Sequence, residues 1–144
     1  GLLHKQQLCV DPPKFVKVIR STKKLSDMRL RLRKSHLAER AKARKHMDAG
    51  RYGKAIVMLD KMVENRKIMS GFVSRLVDQD LVEIEKTGND LLIEAARLKE
   101  EKKIVDSFKL YKEIEEEFER LEQLSKEASK HRKELLKKLR DMGL

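Results

Sequence analysis

The sequence predicts an all-α fold: a long antiparallel helical hairpin with one or two further helices, forming an elongated helical bundle. Three observations predict it. Six Gly and two Pro are few for 144 residues, and both prolines, Pro12 and Pro13, fall near the start. Apolar residues recur at helical spacing over runs far longer than a strand. Charged residues (41%) outnumber hydrophobic ones (40%), with aromatics at 4% and no Trp. Such a chain can bury stripes along helices, but it has little bulky material for a deep globular core.

The elements follow in order. Residues 1–13 read as an N-terminal arm and 14–144 as a single helical domain. Asp11-Pro12-Pro13 is a helix start, with proline pre-set for the first turn. A first helix is expected over about 14–48, with Phe15, Val18, Leu25, Met28, Leu32 and Ala43 near one side. Asp48-Ala49-Gly50-Arg51-Tyr52-Gly53 carries two glycines three apart, which lets the chain reverse.

A second helix is expected over about 54–86. Ile56, Leu59, Val63, Val73, Val77 and Ile84 form one stripe, and Met58, Met62, Met69 and Leu76 form another beside it. Thr87-Gly88-Asn89-Asp90 reads as a further break, with Asn89 or Asp90 as N-cap. A third helix is expected over 90–141, which contains no Gly or Pro from Leu91 onward. Within it Ile114, Leu121, Ala128, Leu135 and Met142 follow at seven-residue steps, while Ile104, Tyr111, Phe118 and Leu139 share the companion position. This is a heptad seam. It serves packing inside a bundle or contact with another copy of the chain.

Little in the sequence points to catalysis. Of the four histidines, His4, His36, His46 and His131, His36 and His46 lie ten apart in one predicted helix, and a lone His in a basic helix reads as a solvated side chain rather than a ligand. Glu113, Glu115, Glu116, Glu117 and Glu119 read as helix-face charge pairing rather than an acid–base pair. Gly50 and Gly53 are not followed by a phosphate-loop Gly-Lys-Ser/Thr. The expectation is a protein without enzymatic activity, metal or cofactor. Cys9 has no internal disulfide partner, which points to a reducing compartment. The start resembles neither a signal peptide nor a myristoylation motif, and no apolar run reaches the roughly 18 residues of a spanning helix. The expected location is cytoplasmic, peripheral to membranes.

Charge is the stronger signal. The net charge is +11, and residues 1–50 hold 14 Lys and Arg against 4 Asp and Glu, a surplus of ten. That asymmetry favours an anionic partner over mere solubility. Arg29, Arg33, Arg40 and Arg44 fall within about 60° of one another on a helical wheel, with His36 in the same stripe. These arginines fit anionic lipid headgroups or nucleic-acid phosphates. The absence of interleaved aromatics argues against single-stranded recognition.

The stretch from Met47 through the turn glycine Gly50, the aliphatic run Ala55 to Val63, and the basic pair Arg66-Lys67 resembles the hairpin of the ESCRT-III family. Pro12-Pro13-Lys14, the basic first helix and Glu116-Glu117-Phe118-Glu119-Arg120 extend the resemblance. It implies a membrane-remodelling, self-assembling subunit whose basic first helix meets anionic membrane. The implied partners are that membrane, further copies or homologous subunits, and a disassembling AAA+ ATPase. The family's acidic C-terminal half is absent, and of its leucine-rich motif only Leu136, Leu139 and Arg140 remain.

The same turn, Gly50-Arg51-Tyr52-Gly53-Lys54-Ala55-Ile56, also resembles a tetratricopeptide or MIT-type hairpin, which implies a helical adaptor for a partner protein. A faint second copy around Ser107-Phe108-Lys109-Leu110-Tyr111 lies 52 residues after Ala55, against a tetratricopeptide period of about 34. The residues expected to act are therefore Arg29, Arg33, Arg40 and Arg44 on an anionic surface, and Met58, Met62, Met69 and Leu76 in assembly. The alternatives are an adaptor or a basic coiled coil that binds RNA.

Overall fold

The computed structural model describes residues 12–143, with side chains from Arg20 onward. The expected arm up to Asp11, and the side chains of Phe15 and Val18, lie outside that part. Five α-helices follow one another: α1 (Pro12–Asp48), α2 (Tyr52–Glu64), α3 (Gly71–Glu100), α4 (Ile104–Glu117) and α5 (Glu122–Asp141). A 3₁₀ turn, Arg66–Ile68, joins α2 to α3. The all-α bundle is thus observed, and no strand occurs among the described residues.

The expected three-helix division needs correction at four places. The second helix stops at Glu64, and α3 restarts with Ser70 as N-cap, its hydroxyl accepting from the Val73 N–H at 3.3 Å. The hairpin turns where expected, at Asp48–Gly53, but its return limb is therefore the 13-residue α2. Thr87–Asp90 is no break: it lies inside the 30-residue α3. Gly88 is there for packing, since a Cβ on it would stand 2.7 Å from Leu124 Cδ1 and 3.1 Å from the Phe118 ring.

The third expected helix is divided at residues 101–103 and again at 118–121, giving α4 and α5. The heptad seam survives that fold. Tyr111, Ile114, Phe118, Ala128 and Leu135 are all buried, but they pack α4 and α5 against α3 and each other within one chain. Met142, at the end of the seam, is exposed.

Side-chain pairs give the directions. Arg33 meets Phe72 and Arg40 meets Asp80, so α3 runs parallel to α1, with the antiparallel α2 between them. Ser107 meets Ala95, and Tyr111 stacks on His131, so α4 is antiparallel to both α3 and α5. The long α3 belongs to both layers and joins them into one core.

Two hairpins of one design emerge from this arrangement, 52 residues apart. Fully buried small residues stand at matching seats, Ala43 and Ala95 on the outgoing helices, Ala55 and Ser107 on the returning ones. Such residues let helix axes approach closely. Leu59 and Met62 of the first hairpin are matched by Tyr111 and Ile114 of the second, all buried. The turns match bond for bond. Gly50 N–H donates to Met47 O and Arg51 N–H to His46 O; Lys102 N–H donates to Lys99 O and Lys103 N–H to Leu98 O. This is the Schellman ending, which needs one residue in the left-handed region. The weak sequence echo at 52 residues is a structural repeat.

Candidate interaction surface

The basic helix divides into two halves with different fates. From His36 onward α1 is packed: His36, Ala43 and Met47 are buried against α2 and α3. Residues 20–35 are exposed without exception. Leu25, Met28, Leu30 and Leu32 are 54%, 55%, 52% and 38% exposed. Leu25, Met28 and Leu32 share the angular sector of Ala43, within about 60° on the helical wheel, so the face that enters the core continues uncovered toward the N-terminus. Lys24 and Arg31 border that sector on one side and Arg29 on the other.

The predicted arginine stripe is split by the same boundary. Arg40 and Arg44 do not face an open surface. They grip Asp80 of α3, an aspartate only 1% exposed in the apolar row Val73, Val77, Ile84. Arg40 Nε donates to Asp80 Oδ2 at 2.7 Å and its Nη2 to Oδ1 at 3.0 Å; Arg44 Nη1 donates to Oδ1 at 2.7 Å and to Glu83 Oε2 at 3.1 Å. Hydrogen bonds to Glu83 first, and then to Asp80, push the Arg44 guanidinium above its ordinary range. A buried carboxylate needs such donors, because an unpaired charge there costs several kcal/mol. These two arginines clamp α1 to α3.

Arg29 and Arg33 remain at the surface. The Arg33 guanidinium lies 4.8 Å from the centroid of the Phe72 ring, a cation–π distance. A hollow of about 230 Å³ at this elbow is lined by Arg29, Leu32, Arg33, Lys67, Ile68, Met69 and Ser70. Ile68 and Phe72 beside it are exposed. The half-free helix and the α2–α3 elbow thus form one surface, apolar along its middle and basic at its edges.

The four residues expected in assembly also separate. Met62 and Met69 are buried in the core, where they fill space between α2 and α3. Met58 and Leu76 are half-buried. Sequence reasoning missed Asp80, although an acid at a core position of an otherwise apolar stripe, within one chain carrying Arg40 and Arg44, was the available signal. It also missed Lys67, Ile68 and Phe72, which only the break after Glu64 brings beside Arg29 and Arg33.

No helix among the described residues is long and apolar enough to cross a membrane. No group of three or more His, Cys, Asp or Glu among them is placed to hold a metal ion. Comparison with family models, with curated proteins and with solved structures finds no match in any of the three.

Proposed function

We propose that this chain is a non-enzymatic helical scaffold that attaches to anionic membrane through the free half of α1 and the α2–α3 elbow. One observation carries the reading: an exposed row of Leu25, Met28 and Leu32, bordered by Lys24, Arg29 and Arg31, which make no ion pair among the described residues, on a helix that leaves the bundle. Interfacial helices combine those features, with the apolar sector entering the headgroup boundary and the cations meeting acidic lipid. Each near-surface cation contributes about 1 kcal/mol. Ile68 and Phe72 add apolar area at the base of the helix, and Lys67 adds charge. Self-assembly and recruitment of a AAA+ ATPase, which the ESCRT-III resemblance implies, would extend this reading.

Sedimentation with vesicles tests it. Phosphatidylserine-containing vesicles should pellet the protein, phosphatidylcholine vesicles should not, and added salt should weaken the effect. The variant R29E/R33E/K67E should lose affinity by on the order of a hundredfold or more, since three attractive charges become repulsive. Equal pelleting of that variant, or binding to structured RNA without binding to vesicles at matched salt, would defeat the proposal.

A second reading, a helical adaptor that holds a partner protein, is favoured by the duplicated hairpin. Repeated helix pairs stack into extended surfaces suited to that role. Capture of a defined partner by the bundle with residues 1–35 removed would support it over the membrane reading.

A further inference from the structure

The exposed half of α1 has a chemically complementary counterpart at the other end of that helix, by the α1–α2 turn. A cleft of about 480 Å³ opens between α2 and the end of α4. The half-buried Val57 and Met58, over the buried Ile56, supply its apolar lining, and Glu116, Glu117 and Glu119 its acidic wall. Glu117 is occupied, accepting from the Gly53 N–H at 2.9 Å. Arg120 at the rim is occupied as well, donating to Asp60 Oδ2 at 2.9 Å. Glu116 and Glu119 make no ion pair among the described residues. Lys54 is the cation of the facing wall, and His46 beside it accepts from Arg51 Nε at 2.9 Å.

We propose that this cleft receives the free half of α1 from a second copy, so that the chain assembles head to tail. The row Leu25, Met28, Leu32 would lie along Val57 and Met58, with the cations beside it against Glu116 and Glu119. Three physical points select that occupant. The chain's own α1 is one unbroken helix, and about 14 residues at 1.5 Å each hold Leu32 roughly 20 Å from His46, so it cannot fold back into the cleft. Two free halves cannot pair with each other, because residues 12–35 carry nine Lys and Arg against Asp27 alone and repel their like. The partner surface must therefore be apolar with uncompensated carboxylates, and this cleft is both. Met58 suits the contact, since an unbranched thioether adapts to an imperfect fit.

Donor and receptor lie toward opposite ends of α1 in one copy. The interface is heterologous, and without a closing rotation it propagates into open chains. The donor is the same half-helix that the membrane reading uses, so a given copy engages either membrane or cleft; the receptor is separate, so the two proposals fail separately.

The test is complementation between two variants, each at wild-type helicity by circular dichroism. The donor variant is L25D/L32D, which keeps the cleft; the receptor variant is E116K/E119K, which keeps the free helix. Sedimentation velocity of the wild type should show mass rising with concentration. Each variant alone should stay monomeric, and their mixture should form a heterodimer that grows no further, because its one intact donor and one intact receptor are paired and both free ends are mutated. The receptor variant should still pellet with acidic vesicles. Wild-type monomer at high concentration, unaltered self-association of E116K/E119K, or a mixture that stays monomeric overturns the proposal. If the lysine variant loses helicity, E116Q/E119Q replaces it with the same expectations. Loss of vesicle binding with self-association retained defeats the membrane reading alone.

Discussion

Lys102 occupies in the α3–α4 turn the place that Gly50 occupies in the α1–α2 turn, and both are left-handed, with φ of 62° and 76°. Glycine has no Cβ to clash there, whereas a lysine is strained by about 1–2 kcal/mol. Glycine in turn costs about 0.4–1 kcal/mol through the greater freedom it gives the unfolded chain. The strain is the larger of the two. Lys102→Gly should stabilise the fold by up to about 1 kcal/mol, raising the melting temperature by roughly 3 °C. Thermal unfolding followed by circular dichroism decides it. A lower melting temperature would mean that the lysine side chain contributes more than its backbone costs.

Asp80 with Arg40 and Arg44 ties the packed half of α1 to α3. Asp80→Ala removes the buried acid and leaves two cations that are 22% and 35% exposed and can turn to water. The loss should be about 2 kcal/mol, below the 3–5 kcal/mol of a fully buried pair. Arg40→Ala alone should cost less, since Arg44 still satisfies Asp80. Urea unfolding of the single and double variants measures the coupling; additive losses would show that the three residues act independently.

Gly88→Ala should destabilise the protein although alanine is the better helix former. The propensity gain is about 1 kcal/mol. Against it, the new methyl would stand 2.7 Å from Leu124 and 3.1 Å from the Phe118 ring, and overpacking of this kind costs about 1–3 kcal/mol. A net loss of about 1 kcal/mol is expected, read as a lower denaturant midpoint at unchanged slope. A stabilised variant would show that the 118–121 corner shifts freely.

Met62→Asp and Met58→Asp should behave differently. Met62 is 2% exposed, and a carboxylate there costs about 4 kcal/mol or more, a large part of a domain's stability. That variant should unfold or melt far below the wild type. Met58 borders the cleft and is half-buried, so its variant should remain helical. The midpoints of thermal unfolding separate the two.

Acid should loosen the α4–α5 pair through Glu115. Its hydrogen bond from Arg132 holds the carboxyl below the usual carboxylate range. A carboxylate whose folded value is depressed contributes stability that is present above its unfolded value, about 4.3, and is lost as pH falls through the folded value. Glu115→Gln should therefore be less stable than wild type at neutral pH, with the difference shrinking as pH falls below about 4. A difference that stays constant with pH would exclude the carboxylate as its source.

Particular residues show how far the sequence could be read. The reversal at Gly50 was legible because a left-handed glycine after an apolar-periodic run leaves the chain few alternatives. The break at 65–70 also had a local signal, Asn65 followed by the cap Ser70, but an apolar stripe that runs across both sides masked it. The corner at Phe118 had none. No glycine or proline lies there, and Phe118 leaves helical geometry because its ring is buried against Tyr52, at 5.1 Å between centroids, and over Gly88. The arginine stripe was correct as a pattern on a helix, yet a helical wheel cannot tell which half of a helix has a neighbour.

By itself the sequence determined the helical class, the concentration of positive charge in its first third and the apolar stripes, because each depends on residue type and local spacing. Tertiary structure alone decided where α2 and α4 end, which cations are taken up by Asp80 and which stay free, and how Glu116 and Glu119 come to border Met58. Those outcomes depend on contacts between residues 36 to 64 positions apart, whose energies no local window contains.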